Sequence, residues 1–263
     1  MNNNVLICSS RQRAGLWLML AALPIAPNGL ADTGSIAEKH LFKVYDSLIY
    51  RHKPDLRSLG LLPTRDLARF WPKGASRDGV DEVYVRNEAK RLNGYRGLVY
   101  IDIENWPVYD VPDRIAQASI AKFVEVADIV HFNTANCQIA YYGVLPDRIY
   151  WPIIQKDEKA LNKWHVANQQ MDVIGAHVDI IAPSLYTFYD DPKGWRLYAE
   201  AMLIQARRYH KPVYAFLWPE FASNEPALQH KQLPANSWKG ELDCCREFAD
   251  GVVLWGGVVG GVG

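Results

Sequence analysis

Short apolar runs rich in Val, Ile and Tyr alternate along this chain with longer stretches whose apolar residues recur at helical spacing, and this alternation narrows the fold more than any other feature. The runs are Leu41–Tyr50, Leu98–Ile103, Gln138–Leu145, Val178–Tyr186, Pro212–Leu217 and Gly251–Trp255. Leu61–Trp71 reads as a loop with a short strand. The helical stretches are Asp81–Leu92 (Val83, Val85, Ala89), Pro112–Asn133, Lys156–Ile174, Pro192–His210 and Pro234–Asp250. In Pro112–Asn133 the expected inner stripe is Ile115, Ile120, Phe123, Val124 and Ala127; in Lys156–Ile174 it is Leu161, Trp164, Val166 and Met171. Near-continuous apolar runs are strands of a parallel sheet covered on both faces. Regular alternation with helices predicts strand–helix–strand crossovers.

A closed barrel fits better than an open, doubly wound sheet. No run leads into G-x-G-x-x-G or a phosphate loop. Polar and aromatic residues recur at the carboxyl end of nearly every run, where barrel loops build active sites. The predicted fold is therefore α/β, a distorted TIM-like (β/α) barrel of about seven parallel strands. The last helix is expected to be missing, because the tail Gly256–Gly263 carries five glycines.

Residues 1–31 have the pattern of a secretory signal. Arg11 and Arg13 precede the apolar segment Ala14–Ile25, and Gly29 and Ala31 supply small residues before Asp32. The apolar segment is short for a membrane span of about 20 residues. The expectation is a cleaved signal at 1–31, one barrel domain at 32–263, and a secreted or periplasmic monomer with no membrane segment after cleavage. Lys+Arg and Asp+Glu both number 29, so no net field favours nucleic acid as a partner.

Three cysteines follow the signal: Cys137, Cys244 and Cys245. They allow at most one bridge, from Cys137 to one of the adjacent pair, and no zinc motif. The seven histidines are scattered, without H-E-x-x-H, and neither a metal nor another cofactor is expected. Ser184 lies in Ala-Pro-Ser-Leu-Tyr, not in a G-x-S-x-G elbow.

The chemistry concentrates in Gly97–Pro107, where an apolar strand runs into Asp102, Glu104 and Trp106. Residues two apart on a strand face one side, so both carboxyls should open into one space. Each charge raises the other's pKa, and burial raises both, which divides acid and base roles between them. The other strand ends add Asp46, Tyr142, Tyr150, Tyr186, Tyr214, Trp218, Glu220 and Trp255 as candidate substrate contacts. Acids in an aromatic cleft suit a sugar, whose ring stacks on aromatic faces while a carboxyl protonates the glycosidic oxygen. Two schemes remain open on the residues alone. Glu220 could be a second carboxylate opposite Glu104. Alternatively the substrate's own acetamido oxygen attacks, with Glu104 as acid and then base and Asp102 holding the acetamido group. A barrel that binds carbohydrate without cleaving it is the non-enzyme alternative.

The order of several motifs resembles the hyaluronidase family of animals and venoms. They are Asp102-Ile103-Glu104-Asn105-Trp106, Tyr141-Tyr142 with Pro146-Asp147 and Tyr150, Pro183-Ser184-Leu185-Tyr186, Lys211-Pro212-Val213-Tyr214, and Gly251 to Gly256. The resemblance spans residues 97–256. It implies a distorted barrel and substrate-assisted hydrolysis of a polysaccharide or oligosaccharide that contains N-acetylhexosamine. It makes Glu104 the proton donor and Asp102 the acetamido positioner, with Tyr186, Trp255 and Tyr150 at the reducing-side subsite. The family's disulfides are not matched, and Pro107-Val108 replace the arginine that follows its tryptophan.

Overall fold

The computed structural model describes residues 41–257, so the expected signal lies outside the described residues. The body that begins at Phe42 contains seven strands. They are β1 (Lys43–Leu48), β2 (Leu62–Leu67), β3 (Gly97–Ile101), β4 (Cys137–Tyr142), β5 (Ile180–Ala182), β6 (Tyr214–Leu217) and β7 (Gly251–Gly256). The helices are α1 (Glu82–Lys90), α2 (Asp113–Asn133), α3 (Trp151–Gln155), α4 (Glu158–Gln170), α5 (Asp172–Ala176), α6 (Pro192–Arg207) and α7 (Ala235–Phe248). A 3-10 turn, Leu56–Leu59, connects β1 to β2 where a barrel unit would place a helix.

All ladders are parallel, in the order β5-β4-β3-β2-β1-β7-β6. Single bridges Ile181↔Val213 and Ser184↔Phe216 join the two end strands, so the sheet is a nearly closed barrel. The β1–β7 seam runs in register from Lys43↔Gly251 to Leu48↔Gly256, whereas β1 and β2 share only Tyr45↔Leu62 and Asp46↔Pro63. Pro63 has no N–H to give to that ladder, and Leu62 stays exposed.

Alternation along each strand divides the apolar residues between two cores. Tyr45, Leu98, Tyr100, Ala140, Ile180, Ala182, Tyr214, Phe216 and Val253 fill the barrel interior. Val99, Ile101, Ile139, Tyr141, Ile181, Ala215, Val252 and Leu254 are buried with the opposite parity, toward the helices.

Helix starts follow their capping residues. Asp157 accepts from Ala160 N (3.0 Å), and Asp191 accepts from Gly194 N (2.9 Å) with Pro192 in the first turn. Two expected stripes shift. On α2 the buried residues are Ala116, Ser119, Ile120, Phe123, Val126, Ala127 and Val130, while Ile115 is exposed. The small residues Ala116 and Ser119 face the sheet, a choice that a search for large apolar side chains overlooks. The stretch Lys156–Ile174 divides at Met171 into α4 and α5. Its inner face is Trp164, Ala167, Asn168 and Met171, and Val166 points to solvent. Val83 on α1 is likewise exposed, with Val85 and Ala89 buried.

The single disulfide considered for Cys137 does not form. All three cysteines of the described region are free, Cys137 opening β4 while Cys244 and Cys245 are buried on α7.

Candidate active site

Leu98 and Tyr100 point into the barrel, and the same parity carried past Ile101 turns Asp102 and Glu104 into its carboxyl-terminal mouth. The Asp102 amide donates to Leu67 O at 2.9 Å, which prolongs the β2–β3 ladder and fixes this backbone. Asp102 is half-buried, and its carboxyl is pushed up to about 6, first by burial, then by the charges of Glu104 and Asp66. Glu104, two residues nearer the solvent, is exposed. It lines a cleft of about 250 Å³ with Trp106, Tyr142, Asp147, Arg148 and Ser184. One carboxyl that holds its proton to mildly acidic pH thus lies beside another in an open cleft.

The neighbouring polar groups are placed by short contacts. Tyr142 and Ser184 meet through their hydroxyls at 3.3 Å, and Tyr100 meets Ser47 at 2.8 Å. Burial raises the Tyr142 and Tyr186 hydroxyls, so both stay neutral, proton-bearing groups across the working pH range. Asp147 is pushed up to about 6 by burial, opposed by the adjacent Arg148. Arg148 lies over the Phe188 ring at 4.2 Å.

An aromatic wall stands beside the acids. Tyr186 stacks on Trp255 (5.7 Å, 28° between planes) and meets Trp218 at 5.6 Å and Tyr142 at 5.7 Å. Trp218 and Trp255 pack edge to face at 4.9 Å. Gly256 permits this packing. Its φ is +154°, and a Cβ there would come within 2.8 Å of both Trp218 Cδ1 and the Tyr50 hydroxyl.

Of the remaining sequence candidates, Trp106 reaches the cleft and Asp46, Tyr150, Tyr214 and Glu220 do not line it. Asp46 gives both oxygens to Lys53 Nζ, each at 2.6 Å, and accepts from Leu48 N at 3.1 Å, so its acceptors are spent within the fold. Tyr214 is an interior core residue against Tyr45 (5.1 Å). Trp106 lines the cleft but is nearly buried, its Nε1 donating to Arg77 O (2.8 Å) and its ring against Phe123 (5.2 Å). Tyr150 packs among Trp151, Tyr189 and Tyr198, with its hydroxyl 3.5 Å from Asp191 Oδ2. Glu220 accepts from the Tyr50 hydroxyl and does not line the cleft that holds Glu104.

Asp66, Asp147 and Arg148 are absent from the sequence-based site. Asp66 stands opposite Tyr100 in the β2–β3 register. The sequence places it in the short strand expected within Leu61–Trp71, but only the parallel pairing with β3 brings it to Tyr100. Asp147 and Arg148 follow Pro146 in the loop after β4, where only position at a strand end marks them.

No protein-family model and no curated protein sequence matches this chain. Solved structures do. Bee venom hyaluronidase superposes with a TM-score of 0.62 at 13% identity, covering 82% of this chain and 91% of that one. The same venom enzyme in complex with a hyaluronic acid tetramer gives 0.63 at 13% identity, covering 82% and 90%. A candidate alpha-L-fucosidase from Bacteroides thetaiotaomicron gives 0.52 at 11% identity, covering 86% and 91%. At these identities the likeness establishes the fold, a (β/α) barrel.

Proposed function

We propose that this chain is a glycoside hydrolase that cleaves an N-acetylhexosamine-containing polysaccharide with retention, using the substrate's acetamido group as the nucleophile. The observation that supports this reading is Asp102 beside Glu104 just past β3, with Glu104 lining the same cleft as Tyr142, whose ring leads into the cluster of Tyr186, Trp218 and Trp255. The fold likeness to bee venom hyaluronidase, one of whose structures holds a hyaluronic acid tetramer, supports it.

In this scheme Glu104 gives its proton to the glycosidic oxygen as the bond from that oxygen to the anomeric carbon breaks. The acetamido oxygen forms the new bond to the anomeric carbon, and positive charge spreads onto the acetamido nitrogen. The Asp102 carboxylate accepts the acetamido N–H and balances that charge. Glu104, now ionised, takes a proton from a water that attacks the same carbon. The ring opens and the stereochemistry is retained. The wall stacks on sugar faces, and the Tyr142 and Tyr186 hydroxyls are donors toward the bound sugar.

The charged and apolar segments within residues 1–31 support export to the periplasm or outside the cell, with the mature chain acting as a monomer. Among the described residues no helix is long and apolar enough to cross a membrane. The test is incubation with hyaluronan, chondroitin, chitin and neutral glucans, followed by measurement of new reducing ends. Release from an amino-sugar polymer, lost in Glu104→Gln, is the expected result. Release only from glucans lacking an acetamido group would overturn the acetamido mechanism.

A further inference from the structure

A second cavity, of about 190 Å³, opens between the loop after β5 and the first turns of α7, lined by Thr187, Tyr189, Trp195, Phe221, Gly240 and Glu241. Its walls are mainly apolar, and its volume is below the range of about 300–1,000 Å³ typical of drug-sized ligands, which leaves room for one small ring. Glu241 is 3% exposed, and none of the reaction steps above uses it. Its Oε1 accepts from the Thr187 hydroxyl at 2.5 Å, and its Oε2 has no partner among the described residues. An unpartnered carboxyl oxygen this deeply buried, on a residue that lines an apolar cavity, is costly unless it carries a proton and meets an acceptor. Gly240, one residue earlier on the exposed side of α7, keeps the entrance open: a Cβ there would meet nothing within 4 Å. A glycine inside a helix costs stability, which an empty wall does not repay.

We propose that this cavity is a second carbohydrate site that holds one uncharged sugar ring. The ring's apolar face lies on Trp195 and Tyr189, and one of its hydroxyls accepts from the Glu241 carboxyl. Burial raises the Glu241 carboxyl well above the usual carboxylate range, which favours its protonated, donating form. Asp190, Asp191 and Asp243 also line the cavity, against Arg196 as the one cation, so an anionic sugar is disfavoured. Arg196 is itself paired with Glu200 (2.6 Å) and Glu247 (2.7 Å). Tyr189 joins the site to the aromatic surface outside it, its hydroxyl accepting from Trp151 Nε1 at 3.2 Å and its ring lying 4.9 Å from Tyr150. A glycan laid across Trp151 would therefore reach the cavity.

The test is calorimetric titration of the full chain with cellotetraose, which lacks the acetamido group that the proposed cleavage requires. Wild type should bind it. Gly240→Leu, which fills the entrance and improves helix propensity, should weaken binding at least tenfold with an unchanged or higher melting temperature. Glu241→Gln keeps an outward N–H donor and should bind within about threefold of wild type, whereas Glu241→Leu should lose binding. Tetragalacturonate should bind at least tenfold more weakly than cellotetraose. No binding by wild type, equal affinity in wild type and Gly240→Leu, or tight binding of tetragalacturonate would overturn the assignment. None of these readouts requires hydrolysis, so an absence of new reducing ends would sink the glycosidase reading alone.

Discussion

The Tyr50 hydroxyl donates to Glu220 Oε1 at 2.6 Å, tying the segment after β1 to the end of β6. The other oxygen of Glu220 lies 4.0 Å from His230 Nδ1, and the residue is 9% exposed. Burial raises its carboxyl, while the Tyr50 hydrogen bond and the His230 charge pull the other way. We propose that these contacts make Glu220 a brace of the fold rather than a second catalytic carboxylate. Glu220→Gln should keep kcat within about threefold while costing about 1.5–3 kcal/mol of stability, the range for one hydrogen bond to a charged group. A loss of turnover as deep as that of a Glu104 variant would restore the two-carboxylate scheme.

Glu104 is exposed and, among the described residues, makes no hydrogen bond that holds the fold together. Glu104→Gln should therefore leave the melting curve unchanged, within about 0.5 kcal/mol for a surface substitution. Turnover should fall by about 10² to 10⁴, the usual worth of a positioned general acid. Stability and reducing-end release, measured on the same preparation, separate the two effects. Full activity in this variant would remove Glu104 as the proton donor.

Asp102 makes stability depend on pH in a direction opposite to that of a salt-bridged carboxylate. Its folded value, about 6, lies above the ordinary 3.8, so the folded chain holds this proton longer than the unfolded chain does. The stabilisation is full below about 3.8 and is lost as the pH rises to about 6. At about 1.4 kcal/mol per unit, with a discount for its partial exposure, the swing is about 1 kcal/mol. Asp102→Asn should flatten the melting temperature between pH 4 and 6, with a remainder from Asp147, which is raised similarly. It should also remove an acid limb near pH 6 from kcat/KM, since the proposed chemistry needs the carboxylate. An unaltered pH profile in Asp102→Asn would sink that role.

The barrel was legible because most of its strands are apolar and its five longer helices are capped by Asp or Pro. Leu98 to Ile103 could hardly be anything but a covered strand, and Asp191-Pro192 marks the start of α6 to the residue. The position of Asp102 and Glu104 just past the end of β3 was legible for the same reason, since the apolar run stops where they begin. What sequence hid was the division of labour among polar and aromatic side chains. Asp46, Tyr214 and Glu220 sit on or after strands just as Asp102 does, yet Lys53, Tyr45 and Tyr50 absorb them. Those partners are set by the register of neighbouring strands and by loop paths, which no single strand encodes. Asp66 stayed hidden because β2 is too exposed to have an apolar signature.

Trp255 and Tyr186 form the most nearly parallel ring pair of the wall, and Trp255 is the less buried of the two. Trp255→Ala should raise KM about tenfold, with kcat reduced by less. That follows if it binds ground state and transition state alike, and stacking of this kind contributes about 0.5–1.5 kcal/mol. Tyr186→Phe keeps the stack and removes only the hydroxyl, so it should lower kcat more than it raises KM. The reverse pattern would exchange the two roles.

Lys53 is the counter-ion of Asp46. Its ammonium contacts both Asp46 oxygens and also donates to Leu48 O at 2.6 Å, and both side chains are largely shielded, at 24% and 16% exposure. Lys53→Met would keep the bulk of the chain but strand a half-buried carboxylate and a carbonyl. Removing one partner of a buried pair costs about 3–5 kcal/mol, and the residual exposure here brings the expected loss to about 2 kcal/mol. Asp46→Asn with Lys53→Met should recover part of that loss, because the stranded charge is then gone. KM should not change in the double variant if Asp46 makes no contact with the glycan. A several-fold rise in KM at full stability would instead return Asp46 to the binding surface that its position in β1 first indicated.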